Sequence, residues 1–199
     1  MRITHIIETH AHADHLSGAR HLAGVTRAPV FFHETAEVRF PHALLEDEEE
    51  HEVGNVRLTV LHTPGHTPEG ISILVADRTR GPDPWFVLTG DTLFPGGVGR
   101  PDLSGDGIEV RLAKQLYESL FSRLLTLPDH IEIYPAHFAG SPSAKGLSGK
   151  AGSTIGFERR FNPALQVTSK PEFMRLTLQD LPAQPGAFAE NRRRNLGWE

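Results

Sequence analysis

The stretch Thr9-His10-Ala11-His12-Ala13-Asp14-His15 lies close to the start of the chain and follows an apolar run, Ile3 to Ile7, that predicts a buried strand. Three imidazoles and one carboxylate in so short a span are costly to bury unless a partner binds them, and a metal ion is the natural partner for such donors. Ligands at a strand end favour an open catalytic site over a closed structural one. The stretch therefore predicts a catalytic metal centre.

Three more potential ligands follow predicted strands further along the chain. His66 lies in a tight turn, Asp91 comes directly after Thr89-Gly90, and His137 follows the strand predicted at 131–134. Loops at the strand ends along one edge of a sheet converge in space, so distant residues can meet there. We therefore predict a metal centre built from seven residues: His10, His12, Asp14, His15, His66, Asp91 and His137.

The composition is that of one soluble globular domain. Of 199 residues, 38% are hydrophobic and 23% charged, and the formal net charge of −5 argues against a nucleic-acid-binding surface. The absence of cysteine excludes disulfides and thiolate metal ligands. We find no apolar run of about 18 residues and no signal-peptide pattern, so we expect no membrane span and a cytoplasmic location.

Hydrophobic periodicity predicts strands and helices up to about residue 161. Strands are expected at 29–33, 56–61, 71–76, 85–89 and 131–134, and helices at 16–23, 108–127 and 153–161. Gly24 is expected to end the first helix and Ser153 to cap the last. The acidic run 46–50 is interpreted as a solvated loop, the glycine-rich stretch 95–102 as a long loop, and the basic cluster 192–194 as a solvated turn.

The other seven histidines are interpreted as structural. An isolated histidine is more often a surface or hydrogen-bonded core residue than a ligand. The residues concerned are His5, His21, His33, His42, His51, His62 and His130. Two interpretations stay open for Arg100, which could form an ion pair with Asp102 or contact a substrate.

Four motifs carry a family resemblance. THAHADH, TPGHT, TGDTLF and YPAH, in this order, resemble the ligand motifs of the metallo-β-lactamase superfamily, and the resemblance runs from about Ile3 to Phe161. It implies an α/β fold, an αββα sandwich of two packed mixed β-sheets flanked by helices. Relatives have strands before the first histidine motif, so we expect this chain to lack them. The expected division is a catalytic domain over 1–165 and a C-terminal extension or tail over 166–199.

Within the superfamily, GDTLFPGGVGRPDL and the stretch from His137 to Asn162 resemble the rhodanese-associated persulfide dioxygenases. This resemblance implies one Fe(II) per chain, held by the catalytic residues His10, His66 and Asp91. The remaining ligands of the seven would then support these three or be remnants of a second site. The implied reaction oxidises a low-molecular-weight thiol persulfide, such as glutathione persulfide, with O₂ to sulfite and thiol.

Further expectations concern substrate and partners. Arg100 is a candidate for contacting the substrate, and Lys145, Lys150 and Arg159 are candidates for attracting the carboxylates of the thiol. We expect a separate rhodanese sulfurtransferase to perform any sulfur transfer, and we expect a homo-oligomer. Relatives often have Gly at Phe138, and Cys and Gly at Ser143 and Ala144, so a thiol role at Ser143 is lost here.

Two alternatives stay open. Glyoxalase II shares the GDTLF and GR elements, and a hydrolase of that type would bind two Zn(II) through all seven residues, with Asp91 between the metals, to cleave a thioester. The second alternative is a truncated, non-catalytic member that binds metal weakly or folds only with a partner.

Overall fold

The computed structural model describes residues 2–105, 107–138, 148–167 and 169–198. Within these ranges the chain forms two main β-sheets, a short two-stranded ribbon and five α-helices. The strands are β1 (Ile6–Ile7), β2 (Val30–His33), β3 (Ala43–Leu45), β4 (Glu50–Val53), β5 (Val56–His62), β6 (Ile71–Asp77), β7 (Phe86–Gly90), β8 (Leu93–Phe94), β9 (Gly97–Val98), β10 (Glu132–Pro135) and β11 (Ser153–Thr154). The helices are α1 (Ala19–Thr26), α2 (Glu109–Phe121), α3 (Ile155–Phe161), α4 (Lys170–Leu178) and α5 (Phe188–Asn195).

The smaller sheet contains β1, β2 and β3, and all its pairings are parallel. The predicted buried strand from Ile3 was wrong at its start: β1 covers Ile6–Ile7, both half-buried, and Ile3 is 44% exposed. Pairing with β2 begins at Ile6, whose N–H donates to the Pro29 carbonyl, so the preceding residues have no neighbour in the sheet. The expected lack of further strands before β1 stays a prediction.

The larger sheet has the strand order β11-β10-β7-β6-β5-β4. Strands β4 to β7 form an antiparallel meander, in which β5 and β6 pair from Val56↔Asp77 to His62↔Ile71. Strand β10 is parallel to β7, so the chain leaves both strands at the same edge of the sheet. This topology brings Asp91, just after β7, close to His137, just after β10.

The two sheets pack face to face with helices outside, which confirms the predicted αββα sandwich. Residues buried between the sheets are Phe31, Leu45, Val60, Ile71, Ile73 and Val75. Residues buried between the larger sheet and α2, α3 and α4 include Val87, Leu116, Leu120, Ile133, Ile155 and Phe173. Each fully buried Leu, Ile or Phe contributes about 2 kcal/mol through the hydrophobic effect. Helix α1 and Leu196, which follows α5, cover the outer face of the smaller sheet.

The helix boundaries correct several predictions. Helix α1 continues through Gly24 and ends at Thr26, and its C-cap Arg27 adopts the left-handed conformation with φ 62°. The helix predicted at 108–127 corresponds to α2 and ends at Phe121 instead of Leu127, because residues 124–126 form a separate 3₁₀ turn. Thr154, and not Ser153, caps α3, since its hydroxyl accepts a hydrogen bond from the Phe157 N–H.

Two predicted loops contain strands. The acidic loop ends one residue early, because Glu50 begins β4 and pairs with Thr59 of β5. The glycine-rich loop at 95–102 includes β9, which pairs with β8 as a short ribbon. Both elements are too short, and one is too polar, to show hydrophobic alternation.

Two helices, α4 and α5, lie in the segment 166–199 that the sequence predicted as an extension or tail. Helix α4 buries Phe173 completely, and α5 buries Phe188. The predicted solvated turn at 192–194 was wrong, because these arginines lie in α5. Arg192 pairs with the buried Glu69 at 2.9 Å, a tertiary contact that local sequence does not indicate. Among the described residues, no helix has the length and apolar character needed to cross a bilayer.

Candidate metal centre

Four loops at one edge of the fold carry the predicted ligands, and the loop between β5 and β6 is the one that holds His66. The loop after β1 is fixed to the larger sheet where the Ile71 N–H donates to the Thr9 carbonyl at 2.9 Å. The loops after β7 and β10 are joined where the Ala136 N–H donates to the Gly90 carbonyl, also at 2.9 Å. The seven ligand residues meet here in two groups, and in each group the ligand atoms lie within 4.8 Å of one another.

The first group is the buried triad of His10, His66 and Asp91, which are only 3%, 5% and 2% exposed. Oδ2 of Asp91 lies 3.7 Å from Nε2 of His10 and 3.4 Å from Nε2 of His66. The Nδ1 atom of His66 faces the Arg100 carbonyl at 2.9 Å, so Nδ1 donates and the Nε2 lone pair faces the centre. The Nδ1 atom of His10 is hydrogen-bonded to the Thr9 hydroxyl at 3.1 Å.

Burial and neighbouring groups together set the protonation of the triad. It lowers the pKa of His10 well below its usual value and also lowers the pKa of His66, although the charge of Asp91 partly opposes both shifts. Burial alone would raise the pKa of Asp91, but the charge of His10 and the hydrogen bond from His137 hold it far below its ordinary value. Neutral imidazoles beside an ionised carboxylate are the protonation states in which these side chains bind metals.

The second group is the outer tetrad of His12, Asp14, His15 and His137, which is less buried. The side chain of His15 is 51% exposed and that of Asp14 is 23% exposed. His137 joins the two groups, because its Nδ1 lies 2.7 Å from Asp91 Oδ1 and its Nε2 lies 3.0 Å from Asp14 Oδ2. Burial would lower the pKa of His137, but its hydrogen bond and charge interaction with Asp91 raise it.

The donor set of the centre fits a metal ion. Two imidazole nitrogens and one carboxylate oxygen converge in the triad at distances longer than hydrogen bonds. Nδ1 of His12, in the outer tetrad, is buried without a hydrogen-bond partner. Such unsatisfied buried donors and acceptors are expected where an ion completes the site. All of them are nitrogen or oxygen ligands, which Fe(II) and Zn(II) both accept, so the donor types do not distinguish these metals.

Gly99 allows the segments that carry Asp91 and His66 to pack closely together. A Cβ at this position would overlap the carbonyl oxygen of Asp91 and would lie 2.9 Å from Cβ of His66. Glycine is required here because two ligand-bearing segments approach its backbone. The sequence placed Gly99 only in a glycine-rich loop, and the structure adds the close approach of the two ligand-bearing segments.

A family model described as the metallo-beta-lactamase superfamily matches residues 1–137. The chain belongs to this superfamily. A crystal structure of a metallo-beta-lactamase from Staphylococcus aureus superposes with a TM-score of 0.91 and 36% identity, over 100% of this chain and 60% of that one. An uncharacterized protein from Mycobacterium leprae is 32% identical over 81% of this chain and 75% of its own length.

Two further relatives of this superfamily member are named ETHE1. The crystal structure of ETHE1 from Myxococcus xanthus superposes with a TM-score of 0.82 at 29% identity, over 100% of this chain and 79% of that one. The human mitochondrial persulfide dioxygenase ETHE1 is 29% identical over 88% of this chain and 61% of its own length. The chain thus spans about three fifths of the human enzyme and of the staphylococcal structure.

Three of the candidate substrate residues, Arg100, Arg159 and Lys145, differ in what the structure shows of them. Arg100 is 2% exposed, and its guanidinium binds Asp102 at 2.7 Å and the Pro182 carbonyl at 2.7 Å, which matches the ion-pair alternative. The guanidinium of Arg159 contacts Asp129 and the carbonyls of Leu125 and Leu127, at the 3₁₀ turn that follows α2. Lys145, together with Ser143 and Ala144, lies outside the described residues.

Sequence reasoning missed the residues that support the metal-binding loop from behind. Glu69 is 3% exposed, and its Oε1 accepts a hydrogen bond from the Ala11 N–H at 3.0 Å. Its position three residues after His66, in the same turn, is the one sequence signal that could have indicated it. Asn195 also contacts this loop, from near the other end of the chain, and no local pattern marks it.

Proposed function

We propose that this protein is a persulfide dioxygenase with one Fe(II) per chain, bound by His10, His66 and Asp91. The observation that carries the proposal is that these three residues form a buried group of their own, separate from the outer tetrad. Two imidazoles and one carboxylate on one side of an ion leave positions open for two further ligands. The persulfide dioxygenase named among the relatives supports the same assignment.

The proposed reaction takes a thiol persulfide, O₂ and water to the free thiol and sulfurous acid, which ionises to sulfite. Written with atoms balanced, RSSH + O₂ + H₂O gives RSH + H₂SO₃. The bound Fe(II) would supply the site at which O₂ and the terminal sulfur react. Glutathione persulfide is the proposed substrate, and a separate rhodanese sulfurtransferase and a homo-oligomer remain part of the proposal.

The protein's own contribution is orientation, exclusion of water and handling of protons. The Arg100 carbonyl fixes the ring of His66, and burial keeps bulk water from the triad. His137 lies between Asp91 and Asp14, with hydrogen bonds of 2.7 Å and 3.0 Å. Through Nε2 it can pass a proton to Asp14, whose side chain reaches solvent, as sulfite and thiol form.

One observation favours a second candidate, a thioester hydrolase with two Zn(II). The outer tetrad also offers four ligand atoms within 4.8 Å, and His137 connects it to the triad. In this alternative both groups bind metal and Asp91 lies between the two ions.

Metal analysis combined with an oxygen electrode tests the two candidates. Protein purified anaerobically with iron is expected to contain about one iron per chain and to consume O₂ with glutathione persulfide, one O₂ for each sulfite formed. Two zinc ions per chain with thioester hydrolysis and no O₂ uptake would overturn the proposal in favour of the hydrolase. A folded chain that binds neither metal would favour the non-catalytic alternative.

A further inference from the structure

Helix α5 contacts the metal-binding loop through Asn195, which is 8% exposed. Its side-chain N–H groups donate to the carbonyls of His12 and His15, both at 2.8 Å. Its side-chain oxygen accepts from the Ser17 N–H at 2.9 Å. One asparagine thus satisfies three backbone groups of the segment that carries three of the four outer-tetrad residues.

Two further residues of α5 hold the same loop. Asn191, one helical turn before Asn195, donates to the Ala13 carbonyl at 2.9 Å. Arg192 pairs with one oxygen of Glu69 at 2.9 Å, and the other oxygen of Glu69 accepts from the Ala11 N–H at 3.0 Å. The side chains of Asn191 and Asn195 lie on one face of the helix, since residues four apart are neighbours there.

The loop depends on these contacts because residues 9–18 form no helix or strand of their own. The contacts from α5 reach backbone groups at 11, 12, 13, 15 and 17, directly or through Glu69. A buried backbone group that loses its partner costs about 1–3 kcal/mol, so the loop would rearrange rather than leave these groups unpaired. Rotation of a peptide unit in this loop would turn the attached ligand side chains away from the centre.

We propose that α5 is a clamp for the metal centre, in which Asn195, Asn191 and Arg192 are positioning residues that set the conformation of the loop carrying His10 to His15. None of the three lies in either ligand group, so they act through the backbone. The clamp does not depend on which reaction the centre performs. It extends the functional unit to the C-terminal segment that the sequence assigned to a tail.

Co(II) titration of the full chain tests the clamp without any substrate. The variant Asn195→Asp has nearly the same shape and keeps an acceptor for the Ser17 N–H, but it places carboxylate oxygen against two carbonyls. We expect Co(II) affinity to fall by about tenfold or more, with changed visible absorption bands, because supporting residues of metal sites have effects of this size. Amide hydrogen exchange in residues 11–17 should also become faster, while circular dichroism stays unchanged.

Arg193→Ala is the matched control, because Arg193 lies in the same helix with its side chain 60% exposed. We expect this variant to bind Co(II) as the parent does. The clamp is overturned if folded Asn195→Asp keeps parental Co(II) affinity, spectrum and exchange, or if Arg193→Ala weakens binding equally.

If Asn195→Asp does not fold, Asn191→Ala decides the question, since it removes only the bond to the Ala13 carbonyl. An effect of about threefold on Co(II) affinity with faster exchange in the loop supports the clamp, and parental values overturn it. Failure of the proposed function is a separate result. Substitutions in α5 would still lower Co(II) affinity in a protein that consumes no O₂.

Discussion

The buried triad and the outer tetrad use the same residue types but are held in different ways. Each triad imidazole has its Nδ1 hydrogen-bonded to a neighbouring group, Thr9 for His10 and the Arg100 carbonyl for His66, and all three triad residues are buried. The tetrad includes a half-exposed His15, whose backbone carbonyl accepts a hydrogen bond from Asn195 of helix α5. Ligand identity alone therefore does not define a metal site, because rigidity and burial differ between adjacent groups of similar donors.

The difference matters for affinity. A ligand whose orientation is fixed before binding loses little freedom when the metal arrives, whereas a mobile exposed one loses more. We therefore expect the triad to bind the first metal and the tetrad to bind weakly or to support it. Three predictions test this order, and a further one concerns a buried histidine outside both groups.

Replacement of a triad ligand should have the largest effect. We expect His66→Ala to lower Fe(II) affinity by more than about 100-fold. Mutation of a residue that only supports a metal ligand already lowers metal affinity by about 10–100-fold, and His66 is itself a proposed ligand. Anaerobic Fe(II) titration with a competing chelator measures this loss. His130→Ala, at an exposed position, is the control. Parental iron content in His66→Ala would show that the triad does not hold the metal.

A change beside the triad should have the next largest effect. We expect Gly99→Ala to lower Fe(II) affinity on the order of tenfold to a hundredfold, since the added Cβ displaces the Asp91 carbonyl and Cβ of His66. The same titration measures the change. Gly24→Ala is the matched control, because no atom lies within 4 Å of a Cβ there and alanine favours a helix. Unchanged affinity in Gly99→Ala would mean that the loops adjust without moving the ligands.

His33 is a buried histidine outside both ligand groups, and its titration should make the stability of the fold depend on pH. Burial, aided by the charge of His62, lowers the pKa of His33 from 6.5 to about 4. Between these values the unfolded chain binds a proton that the folded protein does not, so stability falls as pH falls. When the pH is lowered from 7 to 5, the titration of His33 should lower the free energy of unfolding by about 2 kcal/mol.

Denaturant unfolding at the two pH values, compared between the parent chain and His33→Asn, isolates this contribution. The asparagine oxygen can replace Nδ1 as the acceptor for the Thr35 N–H but does not titrate. We expect the pH dependence to be about 2 kcal/mol smaller in the variant. An equal pH dependence in the parent chain and in His33→Asn would contradict the pKa assignment.

Replacement of an exposed tetrad ligand should have the smallest effect. We expect His15→Ala to change Fe(II) affinity by less than about threefold, because its half-exposed side chain contributes no atom to the triad. Iron content and O₂ uptake check this outcome. A loss as large as that of His66→Ala, or the loss of one of two bound zinc ions, would instead support a dinuclear centre.

The sequence predicted the central strands and the long helix because their apolar periodicity is strong, as in Ile71–Asp77 and in Leu112, Leu116 and Leu120 of α2. It failed at short or polar elements such as Ala43–Leu45 and Glu50–Val53, which are strands because β2 and β5 offer them edges. The C-terminal helices were missed for a related reason. Only a few apolar residues, such as Phe173 and Phe188, anchor these helices in the core. Prolines and arginines surround them in the sequence, so no apolar periodicity is visible there.

The identity and spacing of the seven candidate ligands could be read from the sequence, because each lies in a short motif beside a strand whose periodicity is local. The division into a buried triad and an outer tetrad, and the contact of Asn195 with a loop 183 residues away, followed only from the tertiary structure. Local sequence determines the conformation of a segment. The order of strands and the packing of helices determine which distant side chains share one low-dielectric site.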